Sequence, residues 1–176
     1  MTTRHAVAAA VVTSMFLIGV SLAHASDGPL DQIAGSCVPD SATIRAGVYE
    51  TRGFGVGFSG NSTGKIRLLC PFNATWNMLG TKAGITFLNV IDDDGMATGA
   101  HVTATFRHAG LASNVAVTVG TCDSNKSSFP GPHNVSCTFP AYTLKINETY
   151  WWDVTIERTN PRVNVEFLSI GMRYLP

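Results

Sequence analysis

Tyr150, Trp152, Val154 and Ile156 alternate with Trp151, Asp153, Thr155 and Glu157. Successive side chains of a strand point to opposite faces, so this stretch predicts a strand with one dry and one wet side. The same period of two recurs at Ala42 to Val48, Val102 to Phe106, Val115 to Val119 and Tyr142 to Ile146. No segment after residue 25 sustains a helical period over three turns. Roughly eight to ten short strands at this spacing predict an all-β, antiparallel sandwich.

Two segments depart from simple alternation. Phe87, Leu88, Val90 and Ile91 make Ile85 to Ile91 apolar on both faces, which predicts a central strand covered on both sides. Val163, Val165 and Phe167 hold one phase, whereas Ile170, Met172 and Tyr174 hold the other. A continuous strand with that sequence would turn half its apolar side chains outward, so a β-bulge is expected near Leu168 and Ser169. Gly60 to Gly64, Asp92 to Gly95, Phe129 to Pro132 and Asn160-Pro161 carry turn chemistry between the strands.

The first 25 residues read as a cleaved export signal: Arg4, then an apolar run from Ala6 to Leu22, then Ala23-His24-Ala25. Cleavage would leave 151 residues, 26–176, as one β-sandwich domain, with eleven basic and twelve acidic side chains. A domain of that size buries about 70% of its unfolded surface. Without a basic patch, nucleic-acid binding lacks its electrostatic source. No later segment is apolar enough to anchor the chain, so a secreted or periplasmic protein is expected, not an integral membrane one. All four cysteines follow the signal, and an even count in an exported chain predicts two disulfides. Three pairings exist, and Cys37–Cys70 with Cys122–Cys137 is preferred because each pair brackets a local excursion.

Several motifs resolve to plain readings. Gly55 to Gly60 matches a dinucleotide fingerprint in form, but no helix pattern follows to bring an N-terminus to a phosphate. A Gly-rich strand with Phe54, Val56 and Phe58 on one side is expected instead. His101, His108 and His133 have no partner at zinc spacing and read as surface residues. Five Asn-x-Ser/Thr sequons, at Asn61, Asn73, Asn125, Asn134 and Asn147, carry meaning only in a eukaryotic secretory pathway. The Ala-rich signal looks bacterial.

Two motifs carry chemistry. Asp92-Asp93-Asp94-Gly95 concentrates carboxylates, and Asp92 and Asp94 would be two of the oxygen ligands a calcium ion needs. The same loop otherwise reads as a solvated turn. Trp151 points outward between hydrogen-bonding neighbours, so Trp151, Asp153 and Thr155 form a candidate ligand-binding face. The ring would cover the C–H surface of a sugar while the polar neighbours take its hydroxyls. No catalytic constellation is visible, so a non-enzymatic carbohydrate- or surface-binding module is expected. The alternatives are an accessory subunit engaging an envelope protein, and a hydrolase drawing on the Asp92–Asp94 carboxylates.

Overall fold

The computed structural model describes residues 30–72, 80, 82–113 and 115–175. The expected export signal and Trp76 lie outside the described residues. The described strands are β1 (Leu30–Ile33), β2 (Val38–Pro39), β3 (Tyr49–Arg52), β4 (Gly55–Phe58), β5 (Gly64–Phe72), β6 (Lys82–Asp92), β7 (Ala100–Gly110), β8 (Val117–Asp123), β9 (Gly131–Thr143), β10 (Glu148–Arg158) and β11 (Val165–Leu175). One sheet runs β3-β4-β11-β6-β9, with β1 also pairing with β11. The other runs β2-β5-β10-β7-β8, and every pairing in both is antiparallel. The chain is a two-sheet β-sandwich, as its alternation predicts.

The core fills the space between the sheets. Tyr150, Trp152, Val154 and Ile156 of β10 all point into it. Trp152 packs against Phe106 with ring centroids 4.7 Å apart, and Phe72 meets Phe106 edge-on at 5.3 Å. Such tilted and edge-on contacts add to the burial of large apolar rings. The expected bulge lies where the phase flips: the pairing of β11 with β6 shifts between Phe167 and Ser169. Phe167, Ile170 and Met172 are all fully buried as a result. β6 does sit centrally, between β11 and β9. Its inner positions Thr86, Leu88, Val90 and Asp92 are buried, whereas Phe87 and Ile91 on the outer face are only half-buried.

Disulfides join Cys37 to Cys70 and Cys122 to Cys137, at sequence separations of 33 and 15. The second ties β8 of one sheet to β9 of the other. In the chain-entropy picture each is worth about 3–4 kcal/mol.

Three local expectations are corrected. Ala42 to Ala46 is not a strand but part of a helix, α1 (Ser41–Ala46). The Asp40 carboxylate caps it by accepting the Thr43 N–H at 2.6 Å, and Gly47 ends it in the left-handed conformation at φ 62°. On β8, Val117 is exposed; the pairing with β7 shifts between Phe106 and Arg107, so no single phase runs through the strand, and its inward positions past the shift are Gly120 and Cys122. A Cβ on Gly120 would stand 2.5 Å from the Phe139 ring, so glycine is required there. Phe54 is exposed in the β3–β4 turn and does not join Val56 and Phe58 in the core.

The Gly-rich segment is a strand whose bareness serves packing. Glu166 lies over β4, its carboxylate occupying the space a side chain on Gly55 would need. Burial raises the Glu166 pKa; the Arg52 charge lowers it and the Glu50 charge raises it further. Beyond β4, the buried Arg158 guanidinium donates to the carbonyls of Ser62 and Gly60 and lies 4.7 Å from the Phe58 ring centroid. These contacts fix the turn that resembles a nucleotide loop in sequence.

Candidate functional site

β10 is central in its sheet, so each of its outward residues has a neighbour on both sides. Trp151 stands between Pro71 of β5 and Arg107 of β7. Asp153 stands between Leu69 and Thr105, and Thr155 between Arg67 and Thr103. Antiparallel register thus sets three rows of side chains side by side, at the close spacing of cross-strand pairs. Thr105 Oγ1 lies 3.0 Å from Thr121 Oγ1 on β8, extending the middle row.

A groove of about 410 Å³ opens on this face, lined by Asp40, Arg67, Leu68, Leu69, Thr105, Arg107, Asp153, Val154 and Thr155. Asp153 and Thr155, singled out from the sequence, line it. Trp151 does not; it lies half-buried on the same face, one row away from Asp153.

Arg107 Nε lies 2.5 Å from Asp153 Oδ2, yet the N–H is not directed along that line. The pair is therefore an ion contact, not an aligned hydrogen bond, and its half-exposed position limits it to about 0–1 kcal/mol. Lys65 and Glu157 pair at 2.9 Å further along. At the groove's edge, hydrogen bonds from Thr43 hold the Asp40 carboxyl below its usual pKa, with a smaller contribution from Arg67. The groove thus offers two guanidinium groups, two carboxylates and hydroxyls beside the exposed Leu69 side chain. Such a surface orients a polar ligand through a few placed groups.

Asp92 and Asp94 do not line the groove. Asp92 ends β6 and is wholly buried, contrary to the solvated turn the sequence suggests. Its Oδ2 accepts the Ser124 hydroxyl at 2.7 Å, while Asp94 Oδ2 accepts the Ala100 N–H at 3.0 Å. Burial pushes the Asp92 pKa up to about 6; the Ser124 hydrogen bond opposes this and the neighbouring Asp94 reinforces it. Of the three carboxylates the hydrolase reading drew on, Asp92 and Asp94 are thus engaged inside the fold and Asp93 is exposed.

A polar network that the sequence does not announce joins the sheets at one end. Glu148 Oε2 accepts from Tyr142 and, at 2.7 Å, from Tyr150, while Lys145 Nζ reaches Oε1 at 3.2 Å. His108 Nδ1 lies 3.2 Å from the Tyr142 hydroxyl and 3.4 Å from Glu148 Oε2. His108 is therefore no surface residue; 12% of its side chain is exposed. Burial would raise the Glu148 pKa, but hydrogen bonds from Tyr142, Tyr150 and Lys145 outweigh it, so the carboxyl titrates below its usual range. Burial pushes both phenols up, Tyr150 to about 12.

No protein-family model matches the chain, and no curated protein sequence does. Among solved structures, a family 61 carbohydrate-binding module, solved with β-1,4-galactotriose, superposes with a TM-score of 0.41 at 10% identity. The match covers 79% of this chain and 87% of that one. A Podospora anserina GH26-CBM35 β-(1,4)-mannanase gives 0.37 at 14% identity over 85% of this chain, which spans 28% of that enzyme. The Eiger TNF of S. frugiperda gives 0.30 at 13% identity, covering 86% and 87% of the two chains. Likenesses this loose carry no argument about ligands. The class the structure itself defines is a disulfide-stapled antiparallel sandwich, and its disulfides fit an oxidising compartment. No helix among the described residues is long and apolar enough to cross a membrane.

Proposed function

We propose that this is an exported, non-catalytic binding module that takes a carbohydrate on the outward face of β5, β10 and β7. The observation that carries this reading is the register that sets the outward Trp151 ring beside a groove holding Arg67, Thr105, Arg107, Asp153 and Thr155. A sugar presents C–H faces and a rim of hydroxyls. The ring takes the former and the groove's charged and hydroxyl groups take the latter.

Polysaccharide pull-down and glycan-array binding test it. The wild type retains a glycan, and Trp151→Ala loses retention while still unfolding in one cooperative melt. A wild type that retains nothing across neutral and acidic glycans ends the proposal.

A second reading, an accessory subunit of an envelope structure, has one observation in its favour. β8 closes the order of its sheet with Val115 and Val117 exposed beside it. Exposed strand edges recruit partner strands. Crosslinking in native material to a defined envelope protein, retained by Trp151→Ala and lost by Val117→Lys, would favour that reading over the first.

A further inference from the structure

The Asp92 carboxylate is half-served. Ser124 satisfies Oδ2 and is itself fixed by accepting the Val102 N–H at 2.9 Å, but Asp92 Oδ1 is buried with no partner among the described residues. Asp94 repeats the pattern: Ala100 serves Oδ2 and Oδ1 is buried and unpartnered. Asn125, the residue after Ser124, has a third buried, unpartnered side-chain oxygen. The turn that follows the two carboxylates is packed tightly on Ser128 and Phe129. Gly95 there has φ 61°, and the Ser128 carbonyl oxygen is 3.2 Å from where its Cβ would stand.

Folded proteins rarely leave buried polar atoms unpaired, because each costs about 1–3 kcal/mol and more when charged. Two neighbouring carboxylates with inward oxygens left over need a positive charge between them or a shared proton. No third His, Cys, Asp or Glu joins them among the described residues, which disfavours zinc and its closed nitrogen and sulfur shells. Calcium takes six to eight oxygens in flexible geometry and accepts amide, carbonyl and water ligands beside carboxylates. We infer that Asp92 and Asp94 form a calcium site through their Oδ1 atoms, with neutral oxygens of the 124–128 segment and water completing the shell. The site is separate from the groove: Ala100 lies five residues from Thr105, about 17 Å along β7. Its role is structural, clamping the end of β6 to the start of β7 and to the turn after β8. Extracellular modules bind calcium at roughly 0.1–1 mM, so no tight affinity is required.

The test is a thermal melt of the disulfide-intact protein in chelator, in calcium chloride and in magnesium chloride, with calorimetric titration by calcium. At about a hundred times the dissociation constant, calcium raises the melting temperature by roughly 5–10 °C. Magnesium, which keeps its octahedral water, raises it far less. Asp92→Asn and Asp94→Asn each abolish the calcium response, and the Asp92→Asn protein melts no lower than wild type in chelator. If the wild type shows neither heat nor a melting shift at 10 mM calcium, the two carboxyls share a proton and the inference is wrong. That result rests on the wild type alone, so it stands even if a variant fails to fold.

Discussion

The two sheets turn very different outer faces to their surroundings, although the same alternation builds both. On the β6 side, Phe87 and Ile91 are half-buried and the polar groups are spent on one another. Asn134 donates to Asn89 at 2.7 Å, Asn89 donates to Ser169 at 2.8 Å, and Glu166 is laid over glycine. On the β10 side, the Arg107–Asp153 ion contact is half-exposed, and both groups line an open groove with Arg67, Thr105 and Thr155. A hydrogen-bonded ladder closed on itself has nothing left for a ligand. An open face with placed donors does. Alternation decides which residues face outward, and cross-strand register decides whether they satisfy each other.

The largest effect expected from disturbing this comparison is on stability, at the tie behind the two faces. Glu148→Gln should cost about 2–3 kcal/mol at pH 7, because it replaces a carboxylate that accepts several hydrogen bonds. Urea unfolding reads this directly. Glu148 titrates lower in the folded chain than its ordinary 4.5, so its contribution is present above that pH. It is lost as pH falls through the folded value. The gap between wild type and Glu148→Gln should therefore close in acid, and a gap that widens there would contradict the assignment.

Next comes Trp151→Ala, which should weaken glycan binding at least tenfold, about 1.4 kcal/mol, in an equilibrium titration. Phe87→Ala on the opposite face should leave that affinity unchanged while lowering stability. Arg107→Gln should weaken binding only several-fold and leave the melting temperature within about 2 °C, since its exposed ion contact contributes little to folding. Asn89→Ala is the smallest: under about 1 kcal/mol in stability and nothing in binding. A binding loss from Asn89→Ala or Phe87→Ala that matched Trp151→Ala would erase the distinction between the faces.

Much of this was legible in the residues because β10 and β11 have strong phases. Trp151, Asp153 and Thr155 face outward by alternation alone, and the phase flip at Leu168 demanded a bulge. The helix α1 was not legible, since Ala42, Ile44 and Ala46 suit either period and the deciding signals are the Asp40 cap and Gly47. The β8 phase was hidden because the pairing shifts along the strand and an inward position past the shift is Gly120, which shows no side chain to a pattern. Arg67 enters the site through pairing with Thr155, whereas His108 and Glu148 of one sheet meet Tyr142 of the other where the two sheets pack together. Long-range register of that kind has no local signature.

Amide chemical-shift mapping with a glycan fragment selected by the array tests the central claim most directly. The account predicts perturbed resonances at Arg67, Thr105, Arg107, Trp151, Asp153 and Thr155, with Phe87, Asn89 and Ser169 unmoved. Perturbations confined to the β6 and β11 face, or none at saturating fragment, would contradict it.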